Sequence, residues 1–137
     1  MPHISKEKLD EGIYESLFSQ MIFIQTGLSK KDTLGFVGDL LTDTEKIMMT
    51  KRCAAVLMFS RGCSSYEVWK TLKISQSTAA NIKIAYEVGK YDQIAHIFKT
   101  KKKDRKEFMK TLNKALRLGM PSMGKERWES LNFLLDK

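Results

Sequence analysis

Only two prolines and two cysteines occur in the 137 residues, and strand-forming runs bounded by turn residues are scarce. Both shortages argue against a β or disulfide-built protein and for an all-α one. Cys53 and Cys63 could form one bridge at most. Cys53 falls among apolar positions of a helical pattern, so free, reduced thiols are expected. They do not form a C-x-x-C pair, so zinc lacks a four-ligand case. The only histidines are His3, close to the N-terminus, and His96, alone on a helical stretch with no nucleophile at a telling spacing. No G-x-x-x-x-G-K-[ST] or G-x-G-x-x-G run is present, which removes the usual nucleotide-binding signatures. No stretch reaches the roughly 18 apolar residues of a membrane span, and "MPHISKEKLDEG" lacks an apolar signal core. The expectation is a cytoplasmic protein that is not an enzyme, binds no metal or cofactor and contacts no membrane. At 42% hydrophobic, the chain can bury one core.

Positive charge is unevenly placed. The net charge is +8, yet residues 1–62 hold 8 Lys+Arg against 8 Asp+Glu, while residues 63–118 hold 13 against 5. Nucleic acid is therefore the leading partner class.

Along the chain, "KEKLDEGIYESLFSQMIFIQTG" (6–27) repeats apolar residues at three- and four-residue steps through Leu9, Ile13, Leu17, Met21 and Ile24, with Tyr14, Phe18, Ile22 and Phe23 as a second stripe. Gly27 suits a left-handed helix end. Ser29 and Asp32 mark the next start. Thr42 and Glu45 form a capping box ahead of a helix of about 19 residues, "DTEKIMMTKRCAAVLMFSR". Toward its end that helix is apolar around most of its circumference, so it must be buried on several sides.

"SSYEVWKTLKISQSTAANIKIAY" (64–86) reads as two short helices joined by a tight turn. Ser64 or Ser65 caps the first, in which Val68, Trp69 and Leu72 face inward. Ser75 caps the second, which buries Ala79, Ile82 and either Ile84 or Tyr86. Small Ala79 lets the helices approach closely, as in a helix-turn-helix. Gln76, Ser77, Ala80, Asn81 and Lys83 point outward, with Ser75 and Thr78 beside them at the leading edge as further candidate DNA contacts. Side chains of this kind suit base edges in a major groove. Lys70, Lys73 and Lys90 flank the unit and could hold phosphates.

The run "LLTDTEKIMMTKRCAAVLMFSRG" and the paired helices after it resemble the Trp repressor superfamily over residues 34–91. "SRGCSSYEVWKTLKISQSTAANIK" is still more similar to the repressor-like branch that lacks a clear tryptophan site. The resemblance implies an intertwined homodimer with N-terminal helices packed on the other chain. It also implies corepressor positions at Thr42, Arg52 and Thr78. The family's stacking arginine and its serine correspond here to Asn81, which lacks the charge and the planar guanidinium that stack on an indole, and to Ala85, which cannot hydrogen-bond the ligand's amino group. Tryptophan is therefore not the expected effector, and any other effector is left unassigned.

The sequence thus divides into a helical dimerisation core, 1–91, with the helix-turn-helix at 64–87, and a basic helical C-terminal extension, 92–137. In the extension, Phe108, Met109, Leu112, Leu116 and Leu118 follow an amphipathic pattern. Trp128, Leu131, Phe133, Leu134 and Leu135 lie beyond Pro121. The expected function is a sequence-specific DNA-binding transcriptional regulator of repressor type, reading a palindromic operator in double-stranded DNA with residues 76–87. The alternative is a helical RNA-binding or protein-interaction module that uses the basic segment 63–118 without base readout.

Overall fold

The computed structural model describes residues 7–119. Seven helices and no strand make up these residues: α1 (Glu11–Thr26), α2 (Lys30–Leu40), α3 (Asp43–Ser60), α4 (Ser65–Leu72), α5 (Gln76–Glu87), α6 (Asp92–Thr100) and α7 (Lys102–Gly119). The expected all-α class holds. No described helix is long and apolar enough to cross a membrane. His3, the apolar positions from Trp128 to Leu135, and the side chains of Leu116 and Leu118 lie outside the described residues. The chain forms two compact units with the boundary between Lys46 and Ile47.

The first unit contains α1, α2 and the opening turn of α3. α1 begins at Glu11 instead of position 6, because the Asp10 carboxylate accepts a hydrogen bond from the Ile13 amide and fixes the start there. Its end also differs from expectation. Gly27 is right-handed, at φ −90° and ψ −1°, and the Leu28 amide donates to the Gln25 carbonyl. Ser29 caps α2 immediately afterwards by accepting from the Asp32 amide at 3.1 Å. A connection that short does not need a left-handed residue. The Thr42 box forms as read: the hydroxyl accepts from the Glu45 amide at 3.2 Å, and the Glu45 carboxylate accepts from the Thr42 amide at 2.7 Å. Those bonds hold the Glu45 carboxyl below the usual glutamate range.

Despite its caps, this unit buries none of its described residues. Leu9, Ile13, Leu17, Phe23 and Ile24 of the α1 stripes are more than half exposed, and Leu34 of α2 is 77% exposed. Tyr14 and Phe18 stack on one another at 6.2 Å within α1. Isolated helices of this length are marginal in water unless an apolar face is covered.

The second unit holds the core. Six consecutive residues of α3, Ala54 to Phe59, are buried, together with Cys63, Val68, Ala79, Ile82, Met109 and Leu112. A helix buried on every side over almost two turns is what the apolar composition of "AAVLMF" requires. The earlier part of the same helix is open, with Ile47, Met48 and Met49 all at least 40% exposed. α3 ends in a Schellman arrangement: Gly62 takes φ +83°, its amide donates to the Phe59 carbonyl, and the Cys63 amide donates to the Met58 carbonyl. Cys63 is thereby drawn into the core. Both cysteines are free thiols, and burial pushes the Cys53 thiol up.

α6 and α7, set apart in the sequence as 92–137, belong to the same compact unit as α4 and α5. α7 packs on α4 and on α6, placing Met109 and Leu112 in the core and setting Phe108 5.7 Å from Phe98. Gly89, at φ +88°, turns the chain from α5 into α6, and a Cβ there would come within 2.9 Å of the Asp92 carboxylate. In α4, Thr71 is buried, and its Oγ1 has no hydrogen-bond partner among the described residues. Thr71→Val keeps the shape and removes the stranded hydroxyl, so it is expected to stabilise the protein by about 1–2 kcal/mol. Urea denaturation would register this as a higher midpoint at unchanged slope. A lower midpoint would show that the hydroxyl has a partner.

Candidate nucleic-acid interface

The α4–α5 pair is built from local signals. Ser64 starts α4 through a full capping box with Glu67: the Ser64 hydroxyl accepts from the Glu67 amide, and the Glu67 carboxylate accepts from the Ser64 amide at 2.9 Å. α4 ends after Leu72, and Lys73, Ile74 and Ser75 make the turn. Lys73 takes the left-handed conformation, φ 54° and ψ 50°, and its carbonyl accepts from the Lys51 ammonium at 3.2 Å. Ser75 then caps α5 by accepting from the Thr78 amide at 3.1 Å. α4 packs on α5, and Val68 of α4 and Ala79 and Ile82 of α5 are buried in the one core cluster, Val68 and Ala79 completely.

Lysine at a left-handed position is strained, because its Cβ crowds the following carbonyl, and glycine would relieve this. Lys73→Gly is therefore expected to be about 1 kcal/mol more stable than Lys73→Ala, although both delete the same ammonium. Thermal or urea unfolding of the two variants would show it. Equal stabilities would mean that the turn relaxes out of the left-handed region.

The outward face of α5 is polar at its start and mixed further on. Gln76, Ser77, Ala80 and Asn81 are exposed, and the side-chain carboxamides of Gln76 and Asn81 make no hydrogen bond with any described residue. The hydroxyls at the leading edge are engaged with one another. Ser75 Oγ lies 2.7 Å from Thr78 Oγ1 and 3.1 Å from Ser77 Oγ. Ser75 and Thr78 therefore serve first as the cap. Lys83 is half-buried.

Of the two residues left open for the inner face, Tyr86 is the one that packs on the core, with its ring 6.4 Å from Phe59. Ile84 turns outward and is 60% exposed. It was missed as a surface residue, although it lies three and four positions beyond Asn81 and Ala80, on the same helical face as Ser77. An exposed isoleucine among hydrogen-bonding groups can meet a thymine methyl.

The flanking lysines differ in setting. Lys70 is half-buried, with its ammonium 4.6 Å from the Trp69 ring centroid, and Tyr66 meets Trp69 edge-on at 5.3 Å. Such an arrangement orders the side chain while leaving its charge available. Lys90 lies 5.8 Å over the Tyr91 ring. Lys73 is exposed.

Of the positions that the resemblance assigns to an effector, Thr42 lies in the first unit and has both its amide and its hydroxyl on Glu45. Arg52 is exposed on α3, Thr78 is engaged with Ser75, and Ala85 is half-buried. No group of three or more His, Cys, Asp or Glu able to hold a metal ion occurs among the described residues.

Comparison of the chain with protein-family models, with curated proteins and with solved structures found no match.

Proposed function

We propose that the protein is a sequence-specific, dimeric DNA-binding regulator that presents α5 to the major groove as the second helix of a helix-turn-helix. The observation that carries this reading is the exposed face of α5. Two carboxamides with no internal partner, a serine, an alanine and an outward isoleucine stand on a helix held by a three-residue turn against a buried alanine. Carboxamides can pair bidentately with adenine, and the apolar positions suit thymine methyls. The sequence resemblance of residues 34–91 to the Trp repressor superfamily supports the same reading.

A second copy of the chain is the proposed cover for the first unit. That unit has a 16-residue helix with apolar stripes and no buried residue among those described, and monomeric proteins rarely leave so large an apolar surface in water. In a two-fold dimer the two α5 helices would enter successive major grooves about 34–36 Å apart, on half-sites about 10 base pairs apart. Selection of binding sites from random duplex DNA tests class and symmetry together. The expected result is a palindromic motif, bound several kcal/mol more tightly than bulk duplex. A protein that is monomeric at micromolar concentration, or that recovers no motif, overturns the reading.

A further inference from the structure

The α4–α5 pair is poorly charged for a nucleic-acid reader. Residues 63–91 hold four Lys+Arg against two Asp+Glu, whereas residues 99–117 hold nine against two. α5 itself carries one lysine, Lys83, which is half-buried. Affinity for nucleic acid comes largely from phosphates neutralised by cations, so the electrostatic part of binding has to come from elsewhere on the molecule.

α7 has the required geometry. Arg105, Met109 and Leu112 are buried and define its inner face. At 100° per residue, Lys103, Lys106, Lys110 and Lys114 fall within an arc of about 80° on the side away from that face, with exposed Glu107 at its edge, and all four are exposed. They span about 17 Å of helix in steps of about 5–6 Å. None of the four makes an ion pair among the described residues.

Such a row does not serve the helix. Lys106–Lys110 and Lys110–Lys114 are like-charge pairs at four-residue spacing, each unfavourable by a few tenths of a kcal/mol. Lys102 and Lys103 occupy the first turn, where the helix dipole repels cations. Four cations stand in this arc with the single carboxylate of Glu107 at its edge, whereas a face kept charged only for solubility would intersperse both signs evenly. Anionic lipid is a poorer fit than a polyanionic strand, because interfacial helices insert an apolar face and that of α7 is occupied by α4 and the core.

We propose that the exposed face of α7 is a second nucleic-acid surface, binding the sugar-phosphate backbone of duplex DNA irrespective of sequence. This deepens the regulator reading above by adding an anchoring surface to the reading helix. Because α7 is docked on α4, anchor and reader belong to one compact unit.

The test is the full chain carrying Lys106→Gln, Lys110→Gln and Lys114→Gln together, titrated against the selected site and against random duplex over a range of salt. All three positions are exposed, and an unchanged unfolding midpoint checks the fold. The slope of log K against log salt is expected to fall by about 2.7 per protomer, close to 0.9 for each phosphate no longer neutralised and so about 5.4 for the dimer, and equally on both DNAs. The corresponding triple Lys→Arg variant should keep the original slope. A wild-type protein that shows site preference while the Gln variant keeps its full slope overturns the α7 proposal and leaves the regulator reading standing. A wild-type protein that binds duplex without preference, and loses slope in the variant, supports α7 as a phosphate surface and removes the regulator reading. Binding to anionic vesicles without binding to duplex overturns both.

Discussion

Replacing Leu57 with alanine is expected to cost about 2–5 kcal/mol of stability, the range for emptying a fully buried leucine site. Leu57 is 1% exposed in the middle of the six buried residues of α3, so deleting its branched end leaves a cavity bordered by closely packed neighbours. The loss is that large because those neighbours are themselves constrained. Ala55 and Val56 are completely buried, and Val68 and Ala79 hold α4 against α5. In urea, the unfolding midpoint should drop with little change in slope. Ile47→Ala provides the contrast within the same helix. Ile47 is 54% exposed, so in the monomer its truncation should cost well under 1 kcal/mol. If a second copy covers this stretch, the Ile47→Ala deficit should grow with protein concentration, whereas the Leu57→Ala deficit should be present at every concentration.

The other large effect is expected at the reading face. Gln76→Ala and Asn81→Ala should each lose roughly 1–3 kcal/mol on the selected DNA site and little on random duplex, as removal of a base-edge hydrogen bond does. Neither side chain bonds to any described residue, so truncation has no internal hydrogen bond to break and unfolding midpoints should be nearly unchanged. A loss of binding in these variants can therefore be assigned to the interface. Equal losses on both DNAs would mean that α5 does not read sequence.

The starts of α2, α3 and α5 were legible because each is set by a local bond. The side chains of Ser29, Thr42 and Ser75 bond within three residues of themselves, and such caps are visible as patterns of residue types. The buried half of α3 was legible for a different reason, since an uninterrupted apolar run cannot hide from water on one side only. What was not legible depends on packing partners. Between Ile84 and Tyr86 the helical spacing already favours Tyr86 as the inner residue, four and seven positions beyond Ile82 and Ala79, but that its ring stacks near Phe59 depends on α3 and is not written in residues 76–87. The burial of Thr71 follows from the crowding of α4 between α5 and α7. The docking of α7 on α4 joins elements some forty residues apart, whereas amphipathic spacing reveals only that α7 has an inner face. Gly27 shows the opposite error. Glycine permits a left-handed end without requiring one, and the nearby Ser29 cap removed the need.

That none of the described residues of the first unit is buried has a consequence for how the chain opens. Amide protons exchange with solvent through the cheapest opening available to them. In the second unit, the amides of Ala54 to Phe59 are released only when the core comes apart, so their protection reports global unfolding. α1 and α2 have no buried side chain to hold them, so their amides should exchange at rates set by helix fraying. If a second copy of the chain covers these helices, as proposed, their protection should rise steeply with protein concentration, because association then supplies them with a closed state.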